Sequence, residues 1–541
     1  PVSAPGRSQA LMPEPFKGEG APVSAPRASA GFVPVRLHDL LDSPAIRAEH
    51  VAVIDGERCW THAQLRVQVE RLAARIAGAG ARRGDRVAVL LPKSLEECAA
   101  LFAASRADAV VVPVNPVLRA AQVRHVLADC EARVLVTRRT LLAALGDVLD
   151  GLPGLQILDL DAADATELPQ LAPACGIGQD LAAILYTSGS TGAPKGVMLT
   201  HANLTAGTRI VRSYLGIGPE DRILSVLPFS FDYGLNQLLT VVEQGAQIVL
   251  LNFQLGDQIV RQLAMHRITG LAGVPTIWAI LTRAAPSLVK TPLPHLRYIT
   301  NSGGAVPEAT VRRLRELLPT TQVVLMYGLT EAFRSTYLPP DQVDRRPTSI
   351  GKAIPETEVF VLNARGERAA PGEPGTLVHR GPTVSMGYWR RPEDTARVLR
   401  PNPLRPAVEG GETVCWSGDL VYADDEGYLY FVGRQDAMIK SAGYRISPSE
   451  VEDVLMHVGA FRQVAVIGVP DEWVGQRVCA VAVPAGDGVD VAAVLAEAAR
   501  QLPPHMVPSR IDLVDELPVT PNGKVDVKRL VAQRTSQASP P

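Results

Sequence analysis

A loop rich in glycine and hydroxyl side chains offers the clearest chemistry in this sequence. It lies in residues 184–196, ILYTSGSTGAPKG. Its candidate anion ligands are Thr187, Ser188, Gly189, Ser190, Thr191, Gly192 and Lys195. Glycines let backbone N–H groups approach an anion, hydroxyls add donors, and a lysine adds positive charge. Because Ala-Pro-Lys follows Gly192, the spacing differs from the Walker A pattern. We predict a phosphate-binding loop between a buried strand and a helix that starts near Thr200.

Further polar segments follow in a fixed order along the chain. They are Tyr327–Glu331 (YGLTE), Trp416–Asp419 (WSGD), Gly433–Arg445 (GRQDAMIKSAGYR) and Pro518–Lys524 (PVTPNGK). Together with TSGSTGAPKG they resemble the motifs of the adenylate-forming superfamily, which includes acyl-CoA synthetases, peptide-synthetase adenylation domains and luciferases. The resemblance extends over about residues 37–530. It is strongest to free-standing AMP-forming acyl-CoA ligases of the exosortase A-associated type and to stand-alone amino-acid adenylation enzymes.

This resemblance implies a two-step ligase that uses ATP and Mg²⁺. A carboxylate first attacks the α-phosphorus of ATP, which gives an acyl adenylate and pyrophosphate. Two anions must meet in that step, so the site has to supply positive charge. The resemblance assigns the β- and γ-phosphates to the loop that holds Lys195, and it assigns Mg²⁺ to Glu331 and the α-phosphate to Thr330. Lys524 is expected to bridge the carboxylate and the α-phosphate.

The same resemblance assigns the nucleoside. Tyr327, which precedes Gly328, is expected to stack on adenine beside Ser302, Gly303, Gly304 and Ala305. Asp419 is expected to bind both ribose hydroxyls, since a carboxylate has two acceptor oxygens. Arg434 is expected to add a ribose or phosphate contact. All of these positions carry the residue type of the family pattern, so we expect an active enzyme rather than a non-catalytic nucleotide-binding homologue.

The second half-reaction implies a hinge and a thiol. By the resemblance, the small domain rotates about Asp436, which withdraws Lys524 and brings the Gly443 segment to a thiol tunnel. Only about 17 residues follow Lys524, and they contain no carrier domain. We therefore expect a thiol that arrives in trans, either CoA or the phosphopantetheine of a separate acyl or peptidyl carrier protein, with a slight preference for the carrier protein.

The acid substrate is indicated by the segment LPFSFDYG, residues 227–234. Phe231-Asp232 resembles the FDxS segment of amino-acid adenylation domains, where the Asp pairs with the substrate ammonium. This chain departs from that pattern with Gly234 in place of Ser. The alternative is that Asp232 only caps a helix starting near Tyr233.

Projection of the amino-acid pocket onto this chain gives a small, polar set of side chains. The set is Asp232, Tyr233, Asn236, Ala272, Thr300, Ser302, Met326, Arg334 and Ser335. A long-chain fatty acid would leave these groups unpaired, so we predict a small polar or amino-acid-like acid. Arg334 either pairs with a second carboxylate or hydroxyl or faces solvent. An ordinary acyl-CoA synthetase for a short or fatty acid stays the alternative, with a luciferase-like oxidase more remote.

Alternating strands and helices must position these residues. Short apolar runs at 87–91, 109–113, 134–136 and 248–251 indicate buried strands, and amphipathic segments at 61–79 and 122–128 indicate helices. This alternation is typical of α/β layers with parallel sheet. After Gly351 shorter strands and turns follow. The family resemblance implies a large N-terminal domain of layered α/β subdomains plus a distorted β-barrel, and a small mobile α+β C-terminal domain.

The predicted boundaries follow from composition and motif positions. We expect disordered tails at 1–36 and 533–541, which are rich in Pro, Ala and Ser and lack an apolar pattern. Between them we place an adenylation core at 37–433, a hinge at 434–436 and a mobile domain at 437–532.

The composition excludes several classes of protein. The 541 residues carry 54 Lys and Arg against 56 Asp and Glu, a net charge of -2. That balance argues against a nucleic-acid partner. No apolar run reaches the length of a membrane span. Six scattered cysteines without a CxxC pair indicate buried free thiols rather than a zinc site, and they favour a reducing cytoplasm.

Overall fold

The computed structural model describes most of the chain. The described ranges are 32–162, 168–187, 194–405, 411–435, 437–441, 444–471, 474–486 and 488–538. Ser188 to Gly192, Asp436 and Gly443 lie outside them, as does the predicted tail up to Gly31. Within these ranges no helix is both long and apolar enough to cross a membrane.

The first region is an α/β unit that ends at the phosphate loop. After a 3-10 helix at Leu37–Asp42, its strands and helices are β1 (Val51–Asp55), β2 (Arg58–Thr61), α1 (His62–Gly78), β3 (Arg86–Val89), α2 (Leu95–Arg106), β4 (Val110–Pro113), α3 (Ala120–Asp129), β5 (Ala132–Thr137), α4 (Arg139–Leu145), β6 (Gln156–Asp159), β7 (Leu181–Thr187) and β8 (Lys195–Thr200). Helix α1 starts where the amphipathic pattern predicts, because Thr61 and Gln64 form a reciprocal capping box.

The second region repeats the strand and helix alternation. It consists of α5 (His201–Leu215), β9 (Arg222–Ser225), α6 (Asp232–Glu243), β10 (Gln247–Leu250), α7 (Gly256–Met265), β11 (Gly270–Gly273), α8 (Pro275–Arg283), α9 (Ser287–Lys290), β12 (Tyr298–Asn301), α10 (Glu308–Leu317), β13 (Gln322–Leu329) and β14 (Ala332–Leu338). A 3-10 helix follows at Pro340–Gln342. The strands predicted at 87–91, 109–113, 134–136 and 248–251 correspond to β3, β4, β5 and β10.

After Gly351 strands replace the regular alternation of strands and helices, as the sequence predicts, but they are not shorter than the earlier strands, so that part of the prediction is wrong. They are β15 (Ser349–Ala353), β16 (Glu358–Leu362), β17 (Gly375–Arg380), β18 (Leu399–Pro401), β19 (Thr413–Ala423) and β20 (Leu429–Arg434), with α11 (Pro392–Val398) among them. The C-terminal α+β domain consists of β21 (Ile439–Ser441), β22 (Tyr444–Ile446), α12 (Pro448–His457), β23 (Phe461–Asp471), β24 (Gly475–Pro484), α13 (Val491–Gln501), β25 (Arg510–Leu513) and α14 (Val527–Ala538).

Three sheets organise these strands. One has six strands, in the order β6-β5-β3-β4-β7-β8, and the C-terminal sheet has five. The largest has fourteen strands, with the path β16-β17-β19-β20-β15-β14-β13-β12-β11-β9-β10-β1-β2, and it is parallel from β13 to β1. Among the described residues this path stays open, so closure of its antiparallel end into a barrel remains a prediction.

Helix α14 runs through Ala538, so residues 533–538 are helical although the sequence assigned them to a disordered tail. Arg534 explains the difference, because its buried guanidinium donates to the Asp512 carboxylate over 3.0 Å and ties the helix to β25.

The prediction that the cysteines are buried free thiols is only partly right. Four of the six thiols are buried, whereas Cys59 and Cys175 are exposed.

Candidate active site

A tight turn carries Lys524 from the small domain to the large one. The Lys524 carbonyl accepts from the Thr520 amide over 2.6 Å, and Gly523 takes a φ of +77°, which a glycine adopts without strain. Two hydrogen bonds dock this turn on the large domain: Asn115 Nδ2 donates to the Pro521 carbonyl over 3.1 Å, and Thr276 Oγ1 donates to the Gly523 carbonyl over 2.8 Å. The lysine is therefore anchored by backbone contacts on both sides.

The Lys524 side chain lies at the carboxyl ends of β11 and β12. Its ammonium lies 5.3 Å from the ring centroid of Phe231, within range of a cation–π contact. A Cβ added at Gly303 would lie 3.0 Å from Lys524 Cε. Gly303, with a φ of +84°, thus leaves the space that the lysine occupies. Ligands of α/β sheets bind at this end of the strands.

The charges around Lys524 come from motifs far apart in the sequence. The Lys524 residue as a whole is exposed to solvent, although protein atoms crowd around its ammonium. Desolvation by these atoms lowers the pKa of Lys524, and attraction to Asp232 and then to Glu331 opposes it. Asp419 and Arg434 are also close enough to influence this pKa. The structure therefore brings the predicted catalytic lysine together with residues predicted for metal, ribose and acid.

Glu331 and Lys195 have protein partners in this structure. Glu331 follows Thr330 in the turn between β13 and β14, and its carboxylate accepts a 2.6 Å hydrogen bond from the Tyr388 hydroxyl. Lys195 forms a 2.9 Å ion pair with Asp394, and its ammonium lies 5.6 Å from the Tyr388 ring centroid. Tyr388 therefore links the phosphate-loop lysine to the predicted metal ligand. Burial and then the Glu331 charge raise the pKa of Tyr388, which keeps its proton on the hydroxyl.

The predicted adenine and ribose residues also contact one another. The Tyr327 hydroxyl donates to the Asp419 carboxylate, and Arg434 Nε lies 3.7 Å from Asp419 Oδ1. His379 packs parallel to the Tyr327 ring at 6.0 Å between centroids. Burial of Tyr327 raises its pKa, so the phenol remains a donor. Asp419 is buried on β19 and is paired in register with Arg434 on β20.

Asp232 is the first residue of α6 and lies in the predicted acid pocket. The helix N-cap is Phe231, so the alternative that Asp232 caps a helix starting at Tyr233 is wrong. The carboxylate is buried, with 4% of the residue exposed, and it influences the Lys524 ammonium. Gly234 has a packing reason, since a Cβ there would lie 2.2 Å from the Pro228 carbonyl oxygen.

The remaining polar groups of the predicted pocket are of two kinds: those with a hydrogen-bond partner and those without one among the described residues. The Tyr233 hydroxyl bonds to Thr300 Oγ1, the Tyr214 hydroxyl donates to Met326 Sδ over 3.2 Å, and Ser335 Oγ donates to the Ala332 carbonyl over 3.2 Å. Ala272 and Thr300 are register partners on β11 and β12. Ser302 is buried directly after β12. In contrast, Arg334 Nε and Nη2 and Asn236 Nδ2 are buried without a hydrogen-bond partner in the part of the chain that the structure describes. Arg334 therefore does not face solvent.

One expectation about the surroundings of the phosphate loop is wrong, and the helix predicted near Thr200 is confirmed. The phosphate loop joins Thr187 at the end of β7 to Lys195 at the start of β8, so it connects two antiparallel strands and not a strand and a helix. Helix α5 begins at His201, with Thr200 as its N-cap. Gly304 packs against Pro275, and Ala305 is exposed.

Tyr388, Asp394 and Phe231 also belong to the candidate site, although no sequence motif indicated them as site residues. All three act through contacts between segments distant in the chain. A polar, aromatic stretch at 387–395, GYWRRPEDT, was the one available signal for the first two.

Among the described residues no cluster of three or more His, Cys, Asp and Glu side chains could hold a metal ion. A single carboxylate at the site still suits Mg²⁺, because proteins commonly bind this ion through one or two carboxylates plus substrate phosphates. Glu331 supplies such a carboxylate.

Glycines at 303 and 328 leave room at the strand ends, since a Cβ at Gly328 would approach the Arg334 backbone to 3.1 Å.

Family comparison agrees with this geometry. Residues 42–389 match the AMP-binding enzyme family, and residues 450–524 match the AMP-binding enzyme C-terminal domain. The chain belongs to the AMP-binding enzyme family and is an ATP-dependent, adenylate-forming ligase by class.

Relatives of several kinds share its sequence. The L-proline–L-prolyl-carrier protein ligase of Streptomyces coelicolor is 32% identical over 90% of this chain and 94% of its own length. The feruloyl-CoA synthase of an Amycolatopsis species is 36% identical over 88% and 94%. Tyrocidine synthase 3 of Brevibacillus parabrevis is 30% identical, but this chain spans only 8% of its length.

A solved structure shares the fold. The o-succinylbenzoate CoA synthetase of Bacillus subtilis, in complex with ATP and magnesium, has a TM-score of 0.79 and 26% identity over 91% of this chain and 98% of its own.

Proposed function

We propose that this ligase activates a small polar or amino-acid-like carboxylic acid as an acyl adenylate. It then transfers the acyl group to the phosphopantetheine thiol of a separate carrier protein or of CoA. The observation that supports the first step best is the placement of Lys524. Its ammonium lies between Phe231 and Gly303, under the influence of Asp232 on the acid side and of Glu331 and Asp419 on the nucleotide side.

The proposed roles follow from charge. The acid carboxylate and the α-phosphate of ATP repel each other, and Lys524 supplies a positive charge between them, where charge builds up in the transition state. Desolvation of the Lys524 ammonium lowers its pKa, and an incoming carboxylate and phosphate would supply counter-charges for it. When ATP is bound, Thr330 would donate to the α-phosphate, and Lys195 would leave Asp394 and bind the β- and γ-phosphates.

The nucleoside roles are proposed on the same basis. Asp419 would accept from the ribose hydroxyls, Arg434 would hold Asp419 or the phosphate, and the ring of Tyr327 would support adenine. Glu331 would hold Mg²⁺, which screens the phosphate charges when bound. The loop residues Thr187 to Gly192 would complete the phosphate site with backbone amides.

The transfer step remains a proposal about motion. Rotation about Asp436 would withdraw Lys524 and present the Gly443 segment to the thiol. Such a rotation must break, among other contacts between the domains, the hydrogen bonds from Asn115 and Thr276 to the Lys524 turn. The carrier-protein ligase and the CoA synthase among the relatives support both kinds of acceptor.

A product assay tests this proposal. The purified protein is incubated with ATP, Mg²⁺, a panel of small acids, and either CoA or a phosphopantetheinylated carrier protein. We expect equal amounts of AMP, pyrophosphate and thioester with one acid class and one acceptor. Formation of ADP and phosphate, or release of AMP without any acid-dependent product, would contradict it.

A further inference from the structure

A buried arginine without a hydrogen-bond partner lies in the acid pocket. Arg334 on β14 is 3% exposed, and its Nε and Nη2 atoms are buried without an acceptor among the described residues. A guanidinium keeps its positive charge and has five N–H groups to satisfy. Burial of an unpaired charge is costly, so such groups normally have a counter-ion. The counter-ion of Arg334 is therefore to be sought outside the described protein groups.

Aromatic rings make up much of the immediate surroundings of this guanidinium. Its carbon Cζ lies 4.5 Å from the Tyr233 ring centroid and 5.8 Å from that of Phe333. These faces attract a cation but do not replace a carboxylate as a hydrogen-bond acceptor. In the described part of the chain no Asp or Glu forms an ion pair with Arg334.

A second unpartnered donor lies beside the same ring. Asn236 Nδ2 is buried without an acceptor. A Cβ at Gly207 would lie 2.6 Å from a Phe333 ring carbon and 3.5 Å from Asn236 Nδ2, so the amide and the ring border the same space. The open groups of Arg334 and Asn236 are all donors. A ligand that satisfies either residue must accordingly accept hydrogen bonds, as a carboxylate does.

The backbone at this position is strained as well. Arg334 has a φ of +110°, a region that non-glycine residues adopt only at an energetic cost. Gly328 on β13 tolerates this conformation, because even a methyl group there would press on Arg334 Cα at 3.1 Å. Strain and an unpaired charge at one residue both reduce stability, and a bound anion would offset part of that cost.

We propose that Arg334, assisted by Asn236, binds a second carboxylate of the substrate. This inference rests on the proposed function and names its substrate class: a small dicarboxylic acid, with or without an amino group. The reacting carboxylate would face Lys524 and the distal one Arg334. Asp232 then adds one negative charge to the pocket, which suits the ammonium of a dicarboxylic amino acid such as aspartate or glutamate.

Matched acids test the inference on the wild-type protein. ATP–pyrophosphate exchange is compared between glutarate and valerate, and between glutamate and glutamine. We expect the dicarboxylic member of at least one pair to be favoured in kcat/KM by on the order of 100-fold, because a buried charge without its partner loses about that much binding. A preference for valerate and glutamine would overturn the inference.

A substitution of Arg334 provides the second test of the inference. Arg334→Gln should remove the preference, because the loss in kcat/KM falls on the dicarboxylic member of each pair, while Arg365→Gln, at an exposed arginine, should leave the preference unchanged. Glutarate or glutamate should raise the thermal midpoint of the wild type but not of Arg334→Gln. Arg334→Met serves the same purpose if the glutamine variant does not fold. Retention of the preference in a folded variant would overturn the inference.

The two proposals fail in distinguishable ways. If monocarboxylic acids support exchange and dicarboxylic acids do not, the assignment of Arg334 is wrong while the adenylation proposal stands. If no acid of any class supports exchange, the adenylation proposal itself is contradicted, and the inference falls with it.

Discussion

The proposed nucleotide side and the proposed acid pocket differ in how most of their polar groups are paired. Among the described residues His379, beside Tyr327, is an exception on the nucleotide side, because both of its buried ring nitrogens lack a hydrogen-bond partner. On the nucleotide side, Lys195 pairs with Asp394, the Tyr388 hydroxyl donates to Glu331, and the Tyr327 hydroxyl donates to Asp419. In the acid pocket, Arg334 and Asn236 have buried donors without any acceptor among the described residues.

This difference has an energetic consequence. A group that already has a protein partner exchanges one interaction for another when ATP binds, so the net gain is moderate. A buried group without a partner gains the whole interaction when its ligand arrives. We therefore expect substitutions in the acid pocket to change substrate choice strongly. Substitutions of resting partners on the nucleotide side should have small effects.

Removal of the lysine that joins the two sides should have the largest effect. Lys524→Ala should lower ATP–pyrophosphate exchange by at least about 1000-fold, since one positioned charge in the transition state contributes that much. ATP binding, measured by calorimetry, should persist because the nucleotide contacts remain. Lys528→Ala, an exposed lysine of the same domain, is the control. Full exchange activity in Lys524→Ala would show that another residue carries this role.

Asp232 tests the acid side alone. Asp232→Ala should reduce exchange with amino acids by on the order of 100-fold, because their ammonium loses a buried counter-charge, and should affect acids without an amino group little. Asp257→Ala removes an exposed first-turn acid of another helix and should leave both classes unchanged. Equal losses for both classes would remove Asp232 as an ammonium partner.

Gly303→Ala probes the space that Lys524 occupies. The new methyl group would lie 3.0 Å from Lys524 Cε at a backbone φ of +84°, so we expect exchange to fall about 10-fold with a modest loss of thermal stability. Gly366→Ala matches the backbone, at φ +77°, but meets no atom within 4 Å. If both variants lose activity equally, backbone strain and not the lysine contact is responsible.

Asp394→Asn should have the smallest effect and tests the resting pair on the nucleotide side. Partly exposed ion pairs contribute little, so the KM for ATP should fall by about fivefold or less as Lys195 becomes available. Glu393→Gln, at the neighbouring residue, is the control. A loss of exchange by two orders of magnitude would mean that Asp394 takes part in the reaction directly.

Much of the site was predictable from local motifs, and the remainder depends on folding. Glu331, Asp419 and Lys524 were predictable because each lies in a short segment with a family pattern. The partners Tyr388 and Asp394 were not, since their contacts with Glu331 and Lys195 join segments 57 and 199 residues apart. The burial of Arg334 was also undecided in the sequence, because one arginine in a strand suits either a solvent face or a pocket.

Fold prediction shows the same division. Apolar runs correctly predicted the positions of β3, β4, β5 and β10, because a short continuous apolar run is enough to indicate a buried strand. Strand β8 was missed because KGVMLT follows a glycine-rich loop and is recognised only by its pairing with β7. The end of α14 depended on a contact between Arg534 and β25 that no local pattern contains.

We propose that Lys524 activates an acid whose polar groups satisfy the open donors of Arg334 and Asn236. The direct test of this proposal is ATP–pyrophosphate exchange by the wild-type protein. The exchange is measured with proteinogenic amino acids, small hydroxy and dicarboxylic acids, and short to long fatty acids. We expect exchange confined to polar members of this panel, with dicarboxylic acids or dicarboxylic amino acids foremost. Exchange with fatty acids alone would contradict the account and identify an ordinary acyl-CoA synthetase.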